Sequence, residues 1–93
     1  MPDSLRRRRF VVTGRVQGVG FRWFAQHWAE RLGLRGWVCN REDGTVESEA
    51  EGRTEALAEF ERCLRSGPSG AQVDAVEATE LKAEDGPSSF EIL

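Results

Sequence analysis

The sequence predicts a two-layer α+β domain, with two helices packed on one face of a mainly antiparallel sheet. Three observations predict it. Several short stretches are apolar or alternate apolar with polar residues, as strands do, and two longer segments repeat apolar residues at helical spacing. Their order along the chain is β-α-β-β-α-β with a short closing strand. Finally, 93 residues can bury a single core between two layers and no more.

Residues 1–5 read as a loose start. The first strand begins near Arg7 and takes in Phe10 to Thr13, with Phe10 and Val12 on one face and Arg7, Arg9, Val11 and Thr13 on the other. The run Arg6 to Arg9 could meet nucleic acid or an anionic surface. An acidic remainder favours plain strand charges instead. After a glycine-rich bend, Phe21, Phe24, Ala25, Trp28 and Leu32 form a buried helical stripe, with Trp23, Gln26, His27 and Glu30 opposite and Gly33 as the stop.

Leu34 to Asn40 reads as the second strand, and Asp43-Gly44 as a hairpin turn. Thr45 to Glu51 follows as the third, with Val46, Ser48 and Ala50 inward and Glu47, Glu49 and Glu51 outward. Those carboxylates could hold a metal. The better reading is a water-facing sheet surface on which Arg7 and Arg9 offset them. Gly52 ends the strand and Thr54 is the expected N-cap of a second helix, whose stripe is Ala56, Leu57, Phe60, Cys63 and Leu64. Ser66 to Gly70 is a loop, Val73 to Leu81 a strand with Val76 and Ala78 inward, Ala83 to Ser88 a turn, and Phe90 to Leu93 the closing strand. The economical packing is ferredoxin-like, a single domain over residues 1–93.

The net charge of −3 conceals a division. Residues 1–41 carry nine Arg or Lys against two acids (+7), and residues 42–93 carry four against fourteen (−10). The basic half contains the glycine bend, which suits an anionic ligand. An acidic total argues against general nucleic-acid binding. Cys39 and Cys63 make a poor disulfide framework and His27 is the sole histidine, so reduced thiols, a cytoplasmic location and neither metal nor cofactor are expected. No apolar run reaches the length of a membrane span, and the expectation is a monomer without a membrane partner.

The chemistry concentrates in Gly14-Arg15-Val16-Gln17-Gly18-Val19-Gly20-Phe21-Arg22. Glycines there let another group approach the main chain closely. A loop feeding a helix N-terminus turns several N–H groups toward an anion, and Arg22 adds a planar cationic fork. The spelling excludes familiar alternatives. It lacks the Gly-Lys-Ser/Thr ending of a P-loop and the spacing of a dinucleotide fingerprint. The place a thiol would take in a cysteine-dependent phosphatase loop is Val16.

The string GRVQGVGFR, followed eighteen positions after Arg22 by the Asn40 of GWVCN and then by DGTVE, resembles the acylphosphatase family. The similarity runs from about Arg7 to the closing FEIL. It implies hydrolysis of the carboxyl–phosphate bond of a small-molecule acyl phosphate without a metal, with inorganic phosphate as product or inhibitor. The resemblance assigns phosphate binding to the main chain of Arg15, Val16, Gln17, Gly18, Val19 and Gly20. It makes Arg22 the essential arginine and Asn40 the water-positioning residue. Two other readings compete. Gly18 to Phe24 superficially resembles the aromatic motif of an RNA-binding module, although it follows the first strand rather than lying on the third. The chain could also be a non-catalytic relative, like the acylphosphatase-like part of larger carbamoyl-transfer proteins.

Overall fold

The computed structural model describes residues 5–83 and 88–93. Among them the order is β1 (Arg6–Arg15), α1 (Phe21–Arg31), β2 (Arg35–Asn40), β3 (Val46–Gly52), α2 (Thr54–Ser66), β4 (Gln72–Leu81) and β5 (Phe90–Ile92). The strands form one sheet in the order β4-β1-β3-β2-β5. β3 runs antiparallel to both β1 and β2, so β1 and β2 are parallel to one another, and β5 is parallel to β2. Three strands therefore deliver their carboxyl ends to the same edge of the molecule. The register makes this concrete: Val46 lies opposite both Val12 and Asn40. The loop that follows β1 thus begins just beyond the level at which β2 ends. This ferredoxin-like arrangement is the one the sequence predicts.

Both helices cover the face carrying Phe10, Val12, Val38, Val46 and Ala50, all fully buried. Phe60 of α2 stands edge-on to Phe10 at 5.6 Å and to Phe90 at 5.8 Å, joining a central strand to the closing one. Such edge-to-face pairs add roughly 0.5–1.5 kcal/mol beyond area burial. Ser48, also fully buried, satisfies its hydroxyl by donating to the Trp37 carbonyl at 2.8 Å.

Several local expectations change on contact with the tertiary structure. β1 extends through Arg15, with a bulge between Thr13 and Gly14, so Arg15 belongs to a strand rather than to the loop. At Gly14 a Cβ would stand 2.1 Å from the Gln72 carbonyl oxygen, which no side chain could tolerate. The buried line of α1 is Phe21, Ala25 and Ala29, flanked by half-buried Phe24, Trp28 and Leu32. Gln26 turns inward and donates to the Phe90 carbonyl at 3.0 Å. Thr54 is the first residue of α2, and the N-cap is Arg53, which provides no side-chain cap. Ala78 is exposed because β4 is an edge strand, where only Val76 is buried. Of the turn expected at 83–88, residues 84–87 lie outside the described residues.

The open face of the sheet carries the expected charge ladder. Arg7 reaches Glu49 at 2.7 Å and Glu51 at 3.3 Å, Arg9 pairs with Glu47, Arg35 with Glu51 at 3.3 Å, and Arg41 with Glu47 at 3.2 Å. Glu51 lies beneath this cover and is only 4% exposed, although strand alternation alone would turn it to water. Reversing a charge inside the ladder leaves Arg7 and Arg9 facing a cation. Glu49→Lys is therefore expected to destabilise the fold by about 1–2 kcal/mol, more than one partly exposed pair contributes. Denaturant unfolding measures this, and an unchanged or raised midpoint would break the account.

Candidate active site

β1 ends at Arg15, and the next five residues turn the chain across the sheet edge into α1. Their side chains anchor this loop in different directions. Val16 is buried against the core, Val19 packs partly against it, and the Gln17 amide donates to the carbonyls of Arg41 (2.7 Å) and Thr45 (3.0 Å). The Gln17 side chain thereby ties the loop to the β2–β3 turn. That turn is itself closed by the Arg41 amide on the Thr45 carbonyl at 2.9 Å and by Thr45, whose main-chain amide and hydroxyl both donate to Asp43. These bonds from Thr45 hold the Asp43 carboxyl below its usual range.

With its side chains committed inward, the loop presents its main chain outward. Gly18 and Gly20 have φ of 76° and 78°, and a Cβ at either would meet nothing within 4 Å. Left-handed backbone of this kind favours glycine, and the space before it is open to a ligand. Among the described residues, the amides of Gln17 to Gly20 donate to no main-chain carbonyl. Gly20 caps α1 without a side-chain partner, which leaves the first amides of the helix free as well.

Val16, Gly18, Gly20, Arg22 and Asn40 line one cleft of about 230 Å³, together with Phe21, Trp23 and Ile92. Arg22 sits on the first turn of α1, and its guanidinium makes one long contact of 3.5 Å with the Leu93 carbonyl. Among the described residues it pairs with no Asp or Glu, unlike the arginines of the sheet ladder. Asn40 shares a strand face with Gly36 and Val38, and it projects where that face runs past the core. Its side-chain amide has no protein partner among the described residues. An unpaired guanidinium can clamp an oxyanion through two N–H groups, and a free amide can both donate to and accept from water.

The other residues expected at the site are placed differently. Arg15 is exposed on β1 opposite Gln72 and does not line the cleft. The side chains of Gln17 and Val19 face elsewhere, as described. Trp23 and Ile92 do line it, and neither was expected there. Helical periodicity sends Trp23 to the water-facing side without saying what lies beside it, and Ile92 arrives only through the parallel pairing of β5 with β2. The stretch from Gly18 to Phe24 enters a helix, and the third strand carries glutamates paired with arginines, so the RNA-binding reading is not favoured. No group of three or more metal-binding side chains comes together among the described residues.

Cys39, next to Asn40, is partly buried, and desolvation, helped by Glu47, raises its thiol pKa. A thiol kept protonated is a poor nucleophile. Alkylation of Cys39 at pH 8 is expected to be slower in the folded protein than in denaturant. Equal rates would contradict that environment.

Residues 8–92 match the acylphosphatase family. The chain belongs to the acylphosphatase family. An acylphosphatase from Koribacter versatilis is 48% identical over 92 residues, which cover 99% of this chain and 84% of that one. The crystal structure of the Bacillus subtilis acylphosphatase superposes with a TM-score of 0.92 at 42% identity, over 97% of this chain and 99% of that one. Full-length HypF in its phosphate- and nucleotide-bound form also contains this fold. It is 28% identical, with a TM-score of 0.91, and the match spans all of this chain but 12% of HypF. The chain is thus an acylphosphatase by family and by near-full-length likeness to acylphosphatases, and its substrates are small-molecule acyl phosphates. No helix among the described residues is long and apolar enough to cross a membrane.

Proposed function

We propose that the cleft is the catalytic centre, where the main chain from Arg15 to Gly20 and the guanidinium of Arg22 hold the phosphoryl group while Asn40 aims water at it. One observation supports this above the rest: the glycine loop, an arginine that pairs with no Asp or Glu among the described residues and an amide side chain without a protein partner among them border the same 230 Å³ cleft. Arg15, Gln17 and Val19 serve through the path of the main chain, since their side chains are directed away from it.

The chemistry fits this inventory. The water oxygen bonds to phosphorus as the bond from phosphorus to the acyl oxygen breaks, and the electron pair leaves on the carboxylate. The conjugate acid of that leaving group has a pKa of roughly 4–5, so no general acid is required. The proton released by water passes to a phosphoryl oxygen. Catalysis then consists of positioning and charge stabilisation, as in phosphoryl transfer generally. Inorganic phosphate, which shares the oxyanion geometry, competes for the same cleft. The enzyme acts as a monomer in the cytoplasm without nucleic acid, a reading supported by its small size, acidic balance and two free thiols.

Hydrolysis of a synthetic acyl phosphate in excess chelator tests the proposal. Undiminished turnover with competitive inhibition by inorganic phosphate is expected. Loss of turnover on chelation, or noncompetitive phosphate, would contradict it.

A further inference from the structure

A second concavity of about 360 Å³ adjoins the cleft, lined by Val19, Gly20, Trp23, Phe24, His27 and Pro68. Gly20 and Trp23 border both spaces. Because Gly20 has no side chain, the boundary between them on that side is bare main chain. Trp23 is 74% exposed, a large apolar surface left in water on the first turn of α1. Val19 packs partly against the core beneath, and the Phe24 ring stands 5.9 Å from that of buried Phe21, so the groove has a fixed floor.

We propose that this groove is the acyl subsite, and that it takes the apolar, preferably aromatic, acyl group of the substrate against the face of Trp23. The inference rests on the phosphoryl group lying in the neighbouring cleft. From there the carboxyl half must project away from the phosphate, and the groove is the apolar space that shares the Gly20 and Trp23 border with the cleft. An indole wall offers stacking to a flat ring and little to a short acyl chain. Trp23 is thus a specificity-determining residue for acyl phosphates with bulky acyl groups.

The test compares kcat/KM for benzoyl phosphate and acetyl phosphate in the unaltered enzyme, Trp23→Ala and Trp23→Phe, with inhibition by inorganic phosphate measured in each. The benzoyl-to-acetyl ratio is expected to fall about tenfold in Trp23→Ala, the scale of one hydrophobic contact in a pocket. It should stay within about threefold in Trp23→Phe, which keeps a ring, and phosphate inhibition should persist in both. An unchanged ratio, or an equal loss on both substrates with phosphate inhibition intact, overturns the subsite alone. Absence of competitive phosphate inhibition in the unaltered enzyme removes the phosphoryl site and the subsite with it.

Discussion

Replacing Arg22 by alanine is expected to lower turnover of an acyl phosphate by at least ~10²–10³-fold, the scale of one lost oxyanion donor. The same change should weaken competition by inorganic phosphate, because the guanidinium contacts the group that substrate and product share. Stability should move by no more than about 0.5 kcal/mol, since Arg22 is exposed and its protein contact is a long one. Arg22→Lys should recover little, because an ammonium cannot reproduce a planar two-donor fork. Steady-state kinetics beside a thermal melt separate these effects. Turnover within tenfold of the unaltered enzyme would show that the cation is not part of the reaction.

Asn40→Ala should behave differently. Turnover is expected to fall by about 10²-fold, the scale of a misplaced reactant, while inhibition by inorganic phosphate stays nearly as it was. The asymmetry follows from the proposed division of labour, in which Arg22 meets the phosphoryl oxygens and Asn40 meets the water. Asn40 is exposed at the end of β2 and has no protein partner among the described residues, so its loss leaves no buried group unsatisfied. Normal turnover in this variant would remove the water-positioning role. A parallel loss of phosphate inhibition would instead place Asn40 with the phosphate.

Much of this arrangement was legible in the chain because short-range chemistry decides it. Alternation placed Phe10 and Val12 in the core and Arg7 and Arg9 on the open face, where they do meet the glutamates of β3. The spelling around Arg22 and Asn40 singled out two residues that the fold brings to one cleft. What could not be read depends on partners far along the sequence. Asn40 reaches the loop because it and Val12 both lie opposite Val46, a consequence of register rather than local preference. Glu51 is buried because Arg7 and Arg35 close over it, and Ala78 is exposed because its strand lies at the sheet edge. For Gln17, between Val16 and Gly18, nothing local tells a ligand-facing amide from one that holds a neighbouring turn.

The central claim is that the loop's own amides, with Arg22, form the phosphate seat. Titrating isotopically labelled protein with inorganic phosphate, and following backbone amides and arginine side chains by NMR, measures it most directly. The largest shifts are expected at Val16 to Gly20 and at the Arg22 guanidinium, saturating together at one affinity. Shifts confined to Arg6 to Arg9, with the loop amides unmoved, would contradict it.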